Sequence, residues 1–152
     1  MTRREIFEFV ARHTMAVEAS FSSAGGGRVQ AAAIGIVMNE DLEIFFDTQG
    51  TSRKAQNLRK HPAIALVIGW EEADGRTVQV EGTADEPNGT ELARFKELYF
   101  ARFPGGRERE RWPDIAYFRV KPTWIRFSDF NAAPDPRIIE LDAAALAGPD
   151  HA

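Results

Sequence analysis

The sequence predicts a mainly β domain of the α+β class: about six short antiparallel strands closed into a barrel or sandwich, with a few helices packed outside. Three observations carry this. Apolar or alternating runs recur at Met15–Phe21, Val29–Met38, Leu42–Asp47, Ala63–Trp70, Arg76–Asp85 and Ile115–Phe127. Turn residues separate them: the glycine-rich stretch 22–27, Asn39 to Asp41, Glu71 to Gly75, and Pro87 to Gly89. Helical periodicity is confined to residues 3–13, a short stretch after Gly50, and the segment that follows Thr90.

In chain order, Ile6, Phe7, Phe9, Val10 and His13 lie at helical spacing with Thr2 available as a cap. Met15–Phe21 alternates Ala16, Glu18 and Ser20 against Met15, Val17, Ala19 and Phe21, as a strand does. The Gly25-Gly26-Gly27 run is either a loop tip or a phosphate loop, and no helix pattern follows it, which favours the tip. Val29–Met38 is apolar at nearly every position, as expected of a strand covered on both faces. Its small residues Ala31, Ala32, Ala33 and Gly35 leave room either for a flat ligand or for a closely packed helix.

Pro62 stops the short helix and starts the strand from Ala63. Thr77, Gln79, Glu81 and Thr83 alternate with Val78, Val80, Gly82 and Ala84. Thr90 is placed to cap a helix with Leu92, Phe95, Leu98 and Tyr99 on one face. Phe103–Arg111, with Arg107, Arg109 and Arg111 interleaved by Glu108 and Glu110, reads as a mobile solvated loop. Pro122 implies an edge or a bulge in the strand from Ile115. Ile138–Leu141 adds a last short strand. One domain over residues 1–142 is expected, followed by a frayed Ala-rich tail over 143–152.

The composition excludes several classes of function. A net charge of -4, from 19 Lys plus Arg against 23 Asp plus Glu, leaves no global basic field for nucleic acid or an anionic membrane. The absence of cysteine excludes a thiolate nucleophile, a disulfide framework and Cys-ligated metal, and fits a reducing cytoplasm. No run approaches the roughly 20 apolar residues that span a bilayer, and the charged start Arg3-Arg4-Glu5 leads into no signal-peptide pattern. The expected location is the cytoplasm. His13, His61 and His151 share no metal-ligand spacing, so neither a metal site nor a hydrolytic triad is expected. No side chain declares itself a catalyst. That favours a binding protein or an enzyme whose cofactor carries the reaction.

The most informative stretch is Phe45–Pro62, a strand that ends at Gly50 and opens a short helix. Thr51 or Ser52 can cap it, and its first N–H groups then form an anion site. Arg53 and Lys54 fall in the first turn, where the helix dipole disfavours cations by roughly 0.3–1 kcal/mol each. A phosphate satisfies donors, hydroxyls and cations together; the alternative is a solvated basic helix end.

The sequence Phe-Phe-Asp-Thr-Gln-Gly-Thr-Ser-Arg-Lys-Ala, followed by Asn-Leu-Arg-Lys-His-Pro-Ala-Ile-Ala-Leu-Val-Ile, resembles the flavin-binding segment of the pyridoxamine 5'-phosphate oxidase-like family. The likeness runs from about Met15 to Glu86, and more weakly through Ala116 to Phe127. It implies a six-stranded FMN-binding split barrel that dimerises and holds FMN at the dimer interface. By the same resemblance Arg53 and Lys54 contact the flavin phosphate with Ser52 nearby, and Asp47 and Thr48 lie beside the cofactor. The backbone of Ala32, Ala33, Ile34 and Gly35 runs along the isoalloxazine ring, and Thr77 approaches from the partner chain. True oxidases of this family carry an Arg and a Lys on the strand that here reads Ala-Ala-Ala-Ile-Gly-Ile, a Gln where Thr77 stands, and a Trp at Ser128. Their Arg-Leu-His motif is matched only by Arg137-Ile138-Ile139. The expected protein is therefore an FMN oxidoreductase moving electrons or hydride to a small substrate or redox partner. Alternatives are a non-catalytic flavin or deazaflavin module for storage, sensing or stress protection, and a haem-binding relative with His13 as axial ligand.

Overall fold

The computed structural model describes residues 2–149; His151, in the tail expected to fray, lies outside them. Thr2 caps α1 (Arg3–Ala11) through a capping box in which its side chain accepts from the Glu5 N–H and the Glu5 carboxylate accepts from the Thr2 N–H. Ile6, Phe9 and Val10 form the buried stripe of this helix.

The strands are β1 (Met15–Phe21), β2 (Val29–Gly35), β3 (Val37–Met38), β4 (Ile44–Gln49), β5 (Ala63–Ile68), β6 (Arg76–Asp85), β7 (Ile115–Asp129) and β8 (Arg137–Leu141). They form one antiparallel sheet in the order β2-β1-β5-β6-β7-β4-β3, with β8 paired to β7. The chain leaves β1's side of the sheet at Gly35 and joins β4's side at Val37, so β2 and β3 are one strand bent at Ile36 that curls the sheet into a half-barrel. Counted this way, and with β8 set aside as an addition, the split barrel has the six strands expected.

The interior is apolar, with Phe46, Phe118, Ile125 and Phe127 among its largest buried side chains. A second cluster, Val37, Phe45, Phe95, Tyr99, Phe100 and Tyr117, fills the space between the outer side of β4 and β7 and helix α3 (Gly89–Arg102). Because successive strand residues point to opposite faces, Phe45 and Phe46 serve different cores. Helix α2 (Arg53–Lys60) packs on β1.

The structure departs from the sequence expectations at five places. The outer side of β2 is open: Val29, Ala31 and Ala33 are exposed, because no helix covers that face. Helix α3 starts after Asn88 with no side-chain cap, and Thr90 lies within it rather than at its start. Its residue Leu98, expected on the packed face, is 40% exposed while Phe100 is buried. Residues 103–111 carry α4 (Gly106–Arg109), and Arg109 is paired instead of solvated. The tail carries α5 (Ala143–Ala147), whose cap Asp142 accepts from the Ala145 N–H at 2.9 Å.

Pro122 sits at a bulge, where Glu81 pairs with Trp124 and Gly82 with Pro122, leaving Thr123 extra. The position tolerates proline because β4 pairs with β7 only up to Val120 and β8 only from Ile125, so no second neighbour needs its missing N–H. A Cβ on Gly82 would lie 2.5 Å from the Lys121 carbonyl oxygen. Gly82→Ala is therefore expected to cost about 1–3 kcal/mol in urea denaturation, since a backbone atom must move; an unchanged midpoint would show that the bulge relaxes freely.

Candidate functional site

The site is built where β4 turns into α2. Thr48 and Ser52 share a hydrogen bond at 3.0 Å, and the Ser52 hydroxyl accepts from the Ala55 N–H at 3.2 Å, so Ser52 is the N-cap. The N–H groups of Arg53 and Lys54 have no intrahelical acceptor. The Gly50 N–H donates to the Asp114 carbonyl, and Arg59 donates to the Gly50 carbonyl at 3.0 Å while pairing with Glu86 at 2.8 Å. The turn is thereby held from both sides.

Helix α2 is tied to the barrel by Asn57, which is buried. Its amide donates to the Ser20 hydroxyl at 3.2 Å and to Gln30 Oε1 at 2.9 Å, and its oxygen accepts from the Ser23 N–H at 2.8 Å. This sets the start of α2 beside β2, which pairs only with β1 and so has a free edge. Arg53 donates from Nε to the same Gln30 oxygen at 3.1 Å. Lys54 is half-buried and has no hydrogen bond or ion pair among the described residues.

Strand β1, against which α2 packs, carries Glu18. The phase of β1 turns Ala16, Glu18 and Ser20 inward and leaves Met15 and Phe21 40% and 46% exposed. Glu18 is 1% exposed and its Oε2 has no hydrogen-bond partner. Burial pushes its carboxyl above the ordinary carboxylate range, a hydrogen bond with Ser20 and the charge of Lys54 opposing the shift.

Of the residues expected at a ligand, the structure brings Thr48, Ser52, Arg53 and Lys54 together around the start of α2. The β2 residues divide by face. Ala33 is open on the outer side, Ala32 is half-buried, and Ile34 belongs to the interior core. Gly35 lies beneath Phe103, whose ring would be 3.1 Å from a Cβ there. Asp47 points to the opposite face of β4 from Thr48: one oxygen accepts from the Tyr99 hydroxyl at 2.9 Å and the other from Arg109 Nε at 2.9 Å. It locks α3 and α4 onto the barrel. Thr77 pairs with Ser128, seven residues along β6 from Ala84, whose N–H bonds the Pro62 carbonyl beyond the end of α2. That separation is about 23 Å of strand, so within one chain Thr77 stands apart from the C-terminal end of α2.

Sequence reasoning missed Glu18, Gln30 and Asn57 at the site and the pairing of Tyr99 and Arg109 with Asp47. The phase of Glu18 and Ser20 with small Ala16 was the available signal; nothing in the pattern of α2 singled out Asn57.

The model of the family described as pyridoxamine 5'-phosphate oxidase matches residues 2–129, most of the chain and all of the site. The chain belongs to that family. No curated protein matches it. Among solved structures it is similar to a heme binding protein from Mycobacterium smegmatis, with a TM-score of 0.79 and 16% identity over 97% of this chain and 60% of that one. The heme storage protein HutZ of Vibrio cholerae aligns with a TM-score of 0.68 and 18% identity over 78% of this chain and 88% of its own. General Stress Protein 26 of Bacillus anthracis aligns with a TM-score of 0.67 and 15% identity, over 91% and 98%. At these identities the structures establish the fold that the family shares.

The Asp47 lock has a pH signature. Burial, and then the Asp47 charge, push the Tyr99 hydroxyl well above its ordinary value of 10.0. A folded value above the unfolded one contributes stability that is complete below the unfolded value and lost as pH rises towards the folded one. Tyr99→Phe is expected to lose about 1.5 kcal/mol at neutral pH. Above about pH 10 the native protein's stability should fall more steeply than the variant's, read by urea denaturation across pH. Parallel profiles would mean that Tyr99 is not held by Asp47.

Proposed function

We propose that this chain is a homodimeric FMN flavoprotein that passes electrons or a hydride between the flavin and a small substrate or redox partner. The observation that carries this is Lys54: a half-buried cation without a partner among the described residues, at a Ser52-capped helix start, beside the free edge of a small-residue strand. A phosphate monoester suits this set, since Lys54, Arg53 and two unpaired N–H groups all offer donors to it. Arg53 is already oriented by Gln30, and Ser52 by Thr48. The small side chains of Ala32 and Ala33 leave the β2 backbone approachable by a ring; Ile34 and Gly35 contribute main chain only. The flavin, when bound, supplies the redox chemistry, and the protein's part is to hold the phosphate, orient the ring and exclude water.

The dimer is supported by the outer sheet face. Register places Met15, Val17, Phe21, Val29 and Val67 on one side of β2, β1 and β5, each at least 37% exposed; Phe21 and Val29 of this set border a depression of about 560 Å³ lined also by Glu81 and Thr83. An apolar face of this kind marks an interface. Pairing two such faces brings a second chain's β6, and with it Thr77, into the account. The missing cations on β2 and the Ile138-Ile139 pair speak against a phosphate-bearing vitamin as substrate and leave the substrate side open to a different small molecule. The protein has no helix long and apolar enough to cross a membrane among the described residues, and the cysteine-free sequence suits the cytoplasm.

The names of two structural neighbours raise haem as a second ligand. His13 Nδ1 lies 2.8 Å from the Phe9 carbonyl, and the residue lines a groove of about 300 Å³ with Phe7, Val10, Ile36, Met38 and Leu98. That is the lower limit for small-molecule pockets and is cramped for a macrocycle, which speaks against haem in this groove.

Purified protein mixed with FMN is expected to show shifted flavin absorbance and altered fluorescence. The bound flavin should then be reduced by NAD(P)H and reoxidised by an acceptor. Unchanged spectra would refute the FMN reading, and binding without turnover with any donor would leave the non-catalytic flavin or deazaflavin module. Lys54→Ala should weaken FMN binding by roughly 1.5–3 kcal/mol. A loss near zero would place Lys54 outside the phosphate site.

A further inference from the structure

Helices α1 and α3 both pack on β3, and a groove of about 300 Å³ lies where the three elements meet. Its lining is largely aliphatic. Ile36 and Met38 come from the bent strand, Val10 and the half-buried Phe7 from α1, and Leu98 from α3. Helical spacing puts Leu98 on the packed stripe with Leu92, Phe95 and Tyr99, yet it is 40% exposed because no described side chain fills the groove beside it. Small Ala11 and Ala101, near the C-terminal ends of the two helices, keep that space open.

The charge of the lining is one-sided. Its ionisable residues are His13 and Arg102, and no carboxylate lines it among the described residues. Arg102 is exposed and makes no hydrogen bond or ion pair among the described residues. The acidic residues of the two helices are engaged or placed elsewhere. Glu5 closes the α1 capping box, Glu8 pairs with Arg4, Glu91 pairs with Arg119, and Glu97 lies outside the groove. An aliphatic slot with a cation at its rim fits an amphiphile: the chain and the slot leave water together, and an anionic head stays at the surface beside the cation. A groove of about 300 Å³ has the volume of about ten water molecules, close to the heavy-atom count of an eight-carbon carboxylate.

We propose that the groove between α1 and α3 binds a small apolar monocarboxylate, its chain along Phe7, Ile36 and Leu98 and its carboxylate at Arg102. No bond forms or breaks; the site recognises its ligand. It stands apart from the FMN reading, because none of Thr48, Ser52, Arg53 and Lys54 borders the groove.

The test is isothermal titration of butyrate, hexanoate, octanoate and decanoate into the protein at a pH where the acids are ionised, with 1-octanol as the uncharged reference. Affinity should rise about fourfold per added methylene as far as octanoate and then flatten as the groove fills. Arg102→Gln should weaken octanoate about fivefold and leave 1-octanol unchanged. Leu98→Ser should weaken both. These two side chains are exposed, so neither substitution threatens the core. Octanoate should bind alike with and without saturating FMN. No binding at millimolar octanoate, affinity independent of chain length, or indifference to both substitutions would overturn the proposal. Displacement of octanoate by FMN would also overturn it, by placing the carboxylate at the start of α2. A native mass that falls on Leu98→Ser would contradict it too, by showing that a second copy of the chain covers the groove.

Discussion

The site depends on one buried side chain. Asn57 has its amide hydrogens on Ser20 and Gln30 and its oxygen on the Ser23 N–H, so a single residue ties α2 to β1, to β2 and to the loop between them. Buried amides are costly unless paired, and pairing all of this one's groups makes the helix's position specific. Without that tie α2 is an eight-residue segment with four cations and no acidic residue, too short to persist alone and repelled by its own charges. With it, Arg53 and Lys54 are held where the helix dipole opposes them. The protein thus carries an electrostatic cost at the start of α2, and the anchoring of a phosphate there is the proposed relief of it.

Strand β4 divides the molecule's tasks by parity. Thr48 faces inward to Ser52 and the start of α2, whereas Asp47 faces outward and secures α3 and α4 through Tyr99 and Arg109. Adjacent residues of one motif therefore do different work. The resemblance treats Asp47 and Thr48 as a pair beside the cofactor; in the fold Thr48 bonds Ser52 at the start of α2 and Asp47 bonds Tyr99 and Arg109 on the other face. Phe103, at the end of α3, then comes to rest over Gly35, so the outer lock also trims one end of the open β2 surface.

Much of the barrel was legible because period-two alternation and turn residues are local signals. The bounds of β1 and β6 follow from neighbouring residues, as do a cap at Thr51 or Ser52 and an edge or a bulge at Pro122, of which the structure takes Ser52 and the bulge. The face that each strand buries is a tertiary property, and the alternation of β1 shows the difficulty. Its apolar set, Met15, Val17 and Phe21, faces outward, while Glu18 and Ser20 are buried. A polar inner face is sensible only beside a polar partner such as Asn57, 37 residues from Ser20 in sequence. The Arg109–Asp47 pair spans 62 residues for the same reason, and an alternating run of Arg and Glu gives no hint of which member is bound. What the sequence does not contain is distance, and the site is made of residues that only the closed sheet brings together.

The central claim is that the start of α2 is a phosphate anchor rather than a solvated basic helix end. Its most direct measurement compares the affinities of FMN and riboflavin, which share the ring and polyol chain and differ by the phosphate alone. Charge-assisted contacts from Lys54 and Arg53 predict that FMN binds roughly a hundredfold more tightly, an advantage that shrinks with added salt. Equal affinities for the two ligands would contradict the account and return Arg53 and Lys54 to solvent.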